Sequence, residues 1–198
     1  MNQSKSTLFS EHSATKQSHL IQYNEHTMSP ALVAVGYADA ARRLRASYRA
    51  QPWDDVMLLP FMFVWRQAIE LALKTNITDL AALRRQGGDV DPKVDRLAVE
   101  KRLRSPKQSG HNLERLIAEL EEHIQMLHLQ AIPEQILETL KLLAALDNGG
   151  TGFRYAGVLN VSSADINFDT IGVALDEAFT LLEVIVDAAT NGQGVSWA

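Results

Sequence analysis

The chain contains no cysteine. Disulfides, thiolate metal sites and a cysteine nucleophile are excluded together, and the chain fits a reducing compartment. Aromatic residues are sparse at 7%, and proline occurs only six times. Long hydrophobic runs are missing as well. The longest, Val56 to Trp65, is interrupted by Pro60 and falls well short of the ~20 residues that a membrane span needs. The first residues hold no apolar stretch of the kind a signal peptide carries. These absences set the expectation of a soluble, cytoplasmic protein without membrane contact. Positive charge is also in the minority. Nineteen Lys and Arg stand against 24 Asp and Glu, for a net charge of −5. That balance argues against strong non-specific attraction to nucleic acid, while leaving room for a local basic face.

Signatures of known chemistries are missing too. No Gly-x-Ser-x-Gly elbow occurs, so a serine hydrolase lacks its key turn. There is no Walker A motif, no His-Glu-x-x-His, no calcium loop and no Glu-x-x-His pair of the di-iron kind. Gly149-Gly150-Thr151-Gly152 follows a helical pattern rather than a strand, so it reads as a helix terminus and not as a dinucleotide turn. His12, His19 and His26 recur every seven residues. On a helix they would share a face and suggest a metal, but in so polar a segment they read as solvated. His123 and His128 read as surface residues. No metal and no cofactor is implied.

What is present is apolar residues at helical spacing. Residues 1–28 are rich in Ser, Gln, Asn, Thr and His and bury too little to offset ordering entropy, which predicts a flexible N-terminal arm. Ser29 and Pro30 supply a cap and a first helical residue. Val33, Tyr37, Ala41, Leu44 and Tyr48 then form an apolar stripe, beside a basic stripe of Arg42, Arg45 and Arg49. A second helix is apolar almost all round from Leu58 to Leu73, which places it at the centre of a bundle. Asn76 or Thr78 is placed to cap a short helix through Leu83. Residues 86–110 read as a polar insertion loop, within which 95–103 is either a short helix or a strand. A third helix starts at His111–Asn112 with Leu113, Leu116, Ile117, Leu120, Ile124 and Leu127 inward. A fourth starts at Pro133, buries Leu140, Leu143 and Leu146, and stops at Asp147-Asn148-Gly149-Gly150. Residues 151–168 are irregular, with room for a small hairpin. A last helix spans Asp169 to Ala189, and 192–198 is a loose tail. The expectation is an all-α, up-and-down bundle of about five helices over residues 29–191.

Against its greasy background the second helix carries Arg66, Glu70 and Lys74, four apart and hence on one face. Buried charges must be paired or hydrogen-bonded. Two readings stand: a self-satisfied ion triplet, or a polar ligand or dimer site. A separate pair, Arg104 and His111, would suit metal-free RNA cleavage. Arginine offers a fork for phosphate oxygens and histidine moves a proton near neutral pH.

Three motifs occur in order. Phe63-Val-Trp-Arg-Gln-Ala-Ile-Glu-Leu-Ala-Leu-Lys74 resembles the second helix of HEPN domains. Gly110-His-Asn-Leu-Glu-Arg-Leu116 resembles the start of their third helix. Gly152-Phe-Arg-Tyr155 resembles the Thr-Arg-Tyr-Pro element before their last. The likeness spans roughly residues 32–190. It implies a small helical bundle, often a homodimer, that binds a nucleotide, RNA or a protein partner, with many members in toxin–antitoxin, stress or phage-defence systems. Nucleases of the superfamily use Arg, four to six residues, then His, near the last helix. Here Arg104 and His111 lie before the third helix and Ala156 replaces the proline after Arg-Tyr, so the chain is more similar to the non-nuclease branch. If the bundle forms, the start of the third helix and the connection to the last approach the charged face, gathering Arg66, Glu70, Lys74, His111, Asn112, Arg154 and Tyr155 either into a phosphate or nucleotide site or into internal bonds that pin these connections to the central helix. The alternatives are an endoribonuclease using Arg104 and His111, and a structural adaptor with no small-molecule ligand.

Overall fold

The apolar stripes close into six α-helices, with no strand among the described residues, which are 28–154 and 167–191 of the computed structural model. Helix α1 runs Pro30–Ser47, and Ser29 Oγ accepts from the Leu32 N–H at 3.2 Å. Its inward side is mostly alanine, at Ala34, Ala38 and Ala41, so its backbone lies close on the next helix. The basic stripe is not simply solvated. Arg42 and Arg45 pair across to Asp176 and Asp169 of the last helix, at 2.6 and 3.0 Å.

Helix α2, Leu58–Gln86, runs unbroken for 29 residues, roughly 43 Å at 1.5 Å per residue. The separate short helix expected after Asn76 or Thr78 does not exist. Asn76 is buried and its Nδ2 donates to the carbonyls of Ala72 and Leu182, both at 2.8 Å, while Thr78 Oγ1 donates to Lys74 O. A polar side chain that bonds a carbonyl one turn back needs no helix break. Residues 54–86 are long and apolar enough to cross a bilayer, but the apolar window is half buried inside the protein, as suits a central helix. Around α2 lie α1, α4 and α6, with α5 closing the ring between α4 and α6.

The expected insertion loop is largely structured. A 3-10 turn, Pro92–Val94, leads into helix α3, Arg96–Arg104, which settles 95–103 as helix. Asp95 caps it, accepting from Leu97 N and Ala98 N, and Val94, Val99 and Leu103 are buried. Helix α4 spans Leu113–Met126, capped by Asn112, whose Oδ1 accepts from Arg115 N at 2.9 Å. Helix α5 spans Glu134–Asp147. Leu146, expected inward, is 45% exposed, because the helix turns Leu140, Leu143 and Ala144 to the core. A 3-10 turn at Gly152–Arg154 follows, and α6 spans Phe168–Asn191. Tyr48, Phe168 and Phe61 stack in series at 4.4 and 4.3 Å, tying α1, α6 and α2 together. The N-terminal arm, the tail, Tyr155 and all of the expected hairpin beyond that turn lie outside the described residues.

Candidate functional site

Arg66 is the hub of the site. It sits on the face of α2 turned toward the α5 terminus, and its side chain is 0% exposed. A guanidinium carries five N–H donors in a fixed plane, and every nitrogen is engaged. Nε donates to Asp147 O at 2.8 Å, Nη1 to Glu70 Oε2 at 2.6 Å, and Nη2 to His111 O at 2.7 Å and Asn148 O at 3.1 Å. Two chain segments far from α2 in sequence, at residue 111 and at 147–148, are thus bolted to one side chain. The second carboxylate is that of Asp147, with Oδ2 3.5 Å from Arg66 Nε. It accepts in turn from the N–H groups of Thr151, Gly152 and Phe153, at 2.9, 2.9 and 3.2 Å. This shapes the turn that delivers Arg154.

Glu70 links the buried hub to the surface. Its Oε1 accepts from Lys74 Nζ at 2.6 Å and lies 2.9 Å from His111 Nδ1. Burial pushes its carboxyl up, but the hydrogen bond and charge of Lys74, then those of Arg66, outweigh burial and hold it below the ordinary range. Glu70 is therefore an anion at neutral pH, and an anionic carboxylate only accepts. It follows that His111 Nδ1 carries a proton and donates, leaving Nε2 as the nitrogen not bound to Glu70. His111 is 58% exposed and Lys74 19%, against 4% for Glu70. Arg154, also exposed, has its guanidinium carbon 5.3 Å from the ring centre of Phe63, on the same side of α2 as Glu70 by helical spacing.

Arg66, Glu70, Lys74 and His111 therefore meet. Asn112 contributes by capping α4 and thereby fixing the His111 carbonyl. Arg154 stands on Phe63. Arg104 ends α3 on an exposed face, and no hydrogen bond or ion pair among the described residues joins it to His111.

Asp147, read in the sequence only as part of a stop signal, is a full member of the hub. A second hub went unread altogether. His123, expected at the surface, is 3% exposed. Its Nδ1 lies 3.2 Å from Arg84 Nη1, and since arginine can only donate, this nitrogen accepts. Arg84 also holds Asp89, at 2.7 Å, while Arg102 and Ser109 both bind Glu119. Burial, followed by the Arg84 charge, pushes the imidazole of His123 down from its ordinary value, with Glu119 and Glu122 opposing and Arg102 adding. Spacing did offer a hint: His123 falls three residues after Leu120 and beside Ile124, on the inward stripe. Compared with protein-family models, with curated proteins and with solved structures, the chain finds no match.

Proposed function

We propose that the chain is a HEPN-like binding module that holds a phosphate-bearing ligand, a nucleotide or the phosphate of an RNA, at the rim formed by Lys74, His111 and Arg154. One observation supports this best. Glu70 Oε1 positions Lys74 Nζ and His111 Nδ1 side by side at the surface, while the arginine behind them is saturated by protein. The hub is thus a scaffold, and the groups with capacity left are those at its exposed edge. A cationic ammonium and an imidazole held side by side, with a guanidinium farther along the same side of α2 over Phe63, suit phosphate oxygens. The homodimeric state and a role in a toxin–antitoxin, stress or phage-defence system belong to the same proposal and rest on the resemblance.

The test is titration of labelled nucleotides and short RNAs, in EDTA, against wild type, His111→Ala and Arg154→Ala. Each substitution is expected to weaken binding about tenfold, the loss of one charge-assisted contact, with the thermal midpoint little changed for Arg154→Ala. Binding and folding both unchanged in the two variants would remove the rim as a site. RNA cleavage in EDTA that disappears in His111→Ala and Arg104→Ala would instead establish the endoribonuclease. No binding at all by wild type would leave the adaptor.

A further inference from the structure

Helix α3 and the groove between α5 and α6 are complementary surfaces on one chain. Along α3, Leu97, Lys101 and Arg104 recur at i, i+4 and i+7 and so share an outward face. Leu97 is 72% exposed, and Val90, on the approach to the helix, is 92% exposed. Between Lys93 and Lys107 the chain carries six basic residues and two acidic ones, in a protein whose net charge is negative. Arg96 and Arg102 are spent on Glu100 and Glu119. Lys101, Arg104 and Lys107 pair with no carboxylate among the described residues. The face is apolar at its first turn, at Leu97, and positive along the rest.

Helix α6 has the reverse pattern. It carries five acidic residues and no basic one. Val173, Glu177, Thr180 and Val184 fall on one outward stripe, and with Pro133, Ile136 and Leu181 they line an open groove of about 640 Å³. Arg45 reaches the groove, but its charge is engaged by Asp169. Glu177 at the groove and Glu183 beyond it have no cation partner among the described residues. Both valines remain about 40% exposed.

We infer that the α3 face of one copy seats in the α5–α6 groove of a second copy, Leu97 entering the groove while Lys101 and Arg104 meet the acids of α6. Nucleic acid is the less suited occupant of α3, because the face offers no aromatic side chain for base stacking and would leave Leu97 and Val90 against phosphates. The two surfaces come from different elements, so the contact is heterologous and each added copy presents a fresh knob and a fresh groove. Assembly then grows with concentration and weakens with salt, since its rim is ionic. This predicts open assembly in place of the closed homodimer that the resemblance implies, and it needs no ligand at the His111 rim, so the ligand site and the self-association can fail separately.

The experiment is sedimentation velocity of the full chain across the micromolar range, at low and high salt. Wild type is expected to gain mass with concentration at low salt and lose it at high salt. Leu97→Ser removes the knob, and Val173→Phe fills the groove. Each alone should shift self-association by about tenfold or more to higher concentration. Mixed, they should form a one-to-one pair that grows no further, because one supplies the only intact groove and the other the only intact knob. Both positions are exposed, and unchanged thermal midpoints would confirm that the variants fold. A wild type that stays monomeric throughout, assembly that survives Leu97→Ser, or a mixture that stays monomeric would each overturn the inference.

Discussion

Arg66 shows why a buried ion pair is poor evidence of stabilisation and strong evidence of dependence. Removing two charges from water costs several kcal/mol per ion, and their attraction only roughly repays it. What Arg66 adds is geometry: its plane satisfies the carbonyls of His111, Asp147 and Asn148 at once. Lysine has the charge but not the plane. Asn148 O also accepts from Leu113 N, so Arg66→Lys should strand the carbonyl of His111, of Asp147 or of both, and destabilise the fold by about 3 kcal/mol, measured as a drop in urea midpoint at unchanged slope. A change under about 0.5 kcal/mol, the range of ordinary surface substitutions, would mean that water serves those carbonyls as well as the guanidinium does. Lys74→Ala should cost far less, because its ammonium reaches solvent and its bond to Glu70 is only one of three on that carboxylate.

The helices record how these demands are met by local conformation. Past the end of α5 the chain turns back under Arg66, and Gly150 does so at φ +77, with the place of its missing Cβ 2.9 Å from Arg66 Nη1. Gly88, after α2, has a similar φ of +90 but nothing within 4 Å. Both tolerate only residues at ease in the left-handed region. Gly88→Ala should cost about 1 kcal/mol from backbone strain alone. Gly150→Ala should cost about 2 kcal/mol or more, because it also displaces the hub. Equal losses in thermal denaturation would show that Arg66 can move aside freely. Element existence was legible where periodicity was strong. The stripe of α4, the cap at Ser29 and the stop after Asp147 all sit where spacing put them. Three readings failed for one reason. Asn76 looks like a cap, His123 like a surface residue and 86–110 like a loop, because each is polar. Each polar group instead found a partner distant in sequence: Leu182 O, Arg84 and, for the connection, Glu119. Sequence spacing reports which side of a helix a residue faces, not which carbonyl or carboxylate another segment will bring to it. That Arg66, Glu70 and Lys74 form one cluster is legible because lone charges on an apolar helix demand partners, whereas nothing in the spacing alone brings His111 to them.

Across the whole molecule, α2 is a rod carrying one polar hub near each end. Arg66 and Arg84 are 18 residues apart, roughly 27 Å along the axis, well beyond the Debye length of about 8 Å at physiological salt. The hubs share no residue, so they should act independently. Both answer to acid in the same direction. His123 is held below the ordinary imidazole value of 6.5 in the fold. As pH falls through 6.5 the unfolded chain takes up a proton that the folded chain refuses, so the stability it contributes is whole above that pH and declines beneath it. Glu70 is held below 4.5, so its contribution is whole above 4.5 and is lost at lower pH. Stability should therefore be level at neutral pH and descend in two stages. His123→Gln keeps an acceptor for Arg84 without a titration, and should flatten the upper stage while leaving the lower. Glu70→Gln should shrink the lower stage, to which Asp89 also contributes, and leave the upper. Urea midpoints measured at steps of pH would separate them, and the double variant should lose the sum of the two single losses within about 0.5 kcal/mol. A larger discrepancy would mean that α2 transmits strain from one hub to the other. The clasp that orders α3, and with it the Leu97 face, would then be coupled to the rim that carries His111.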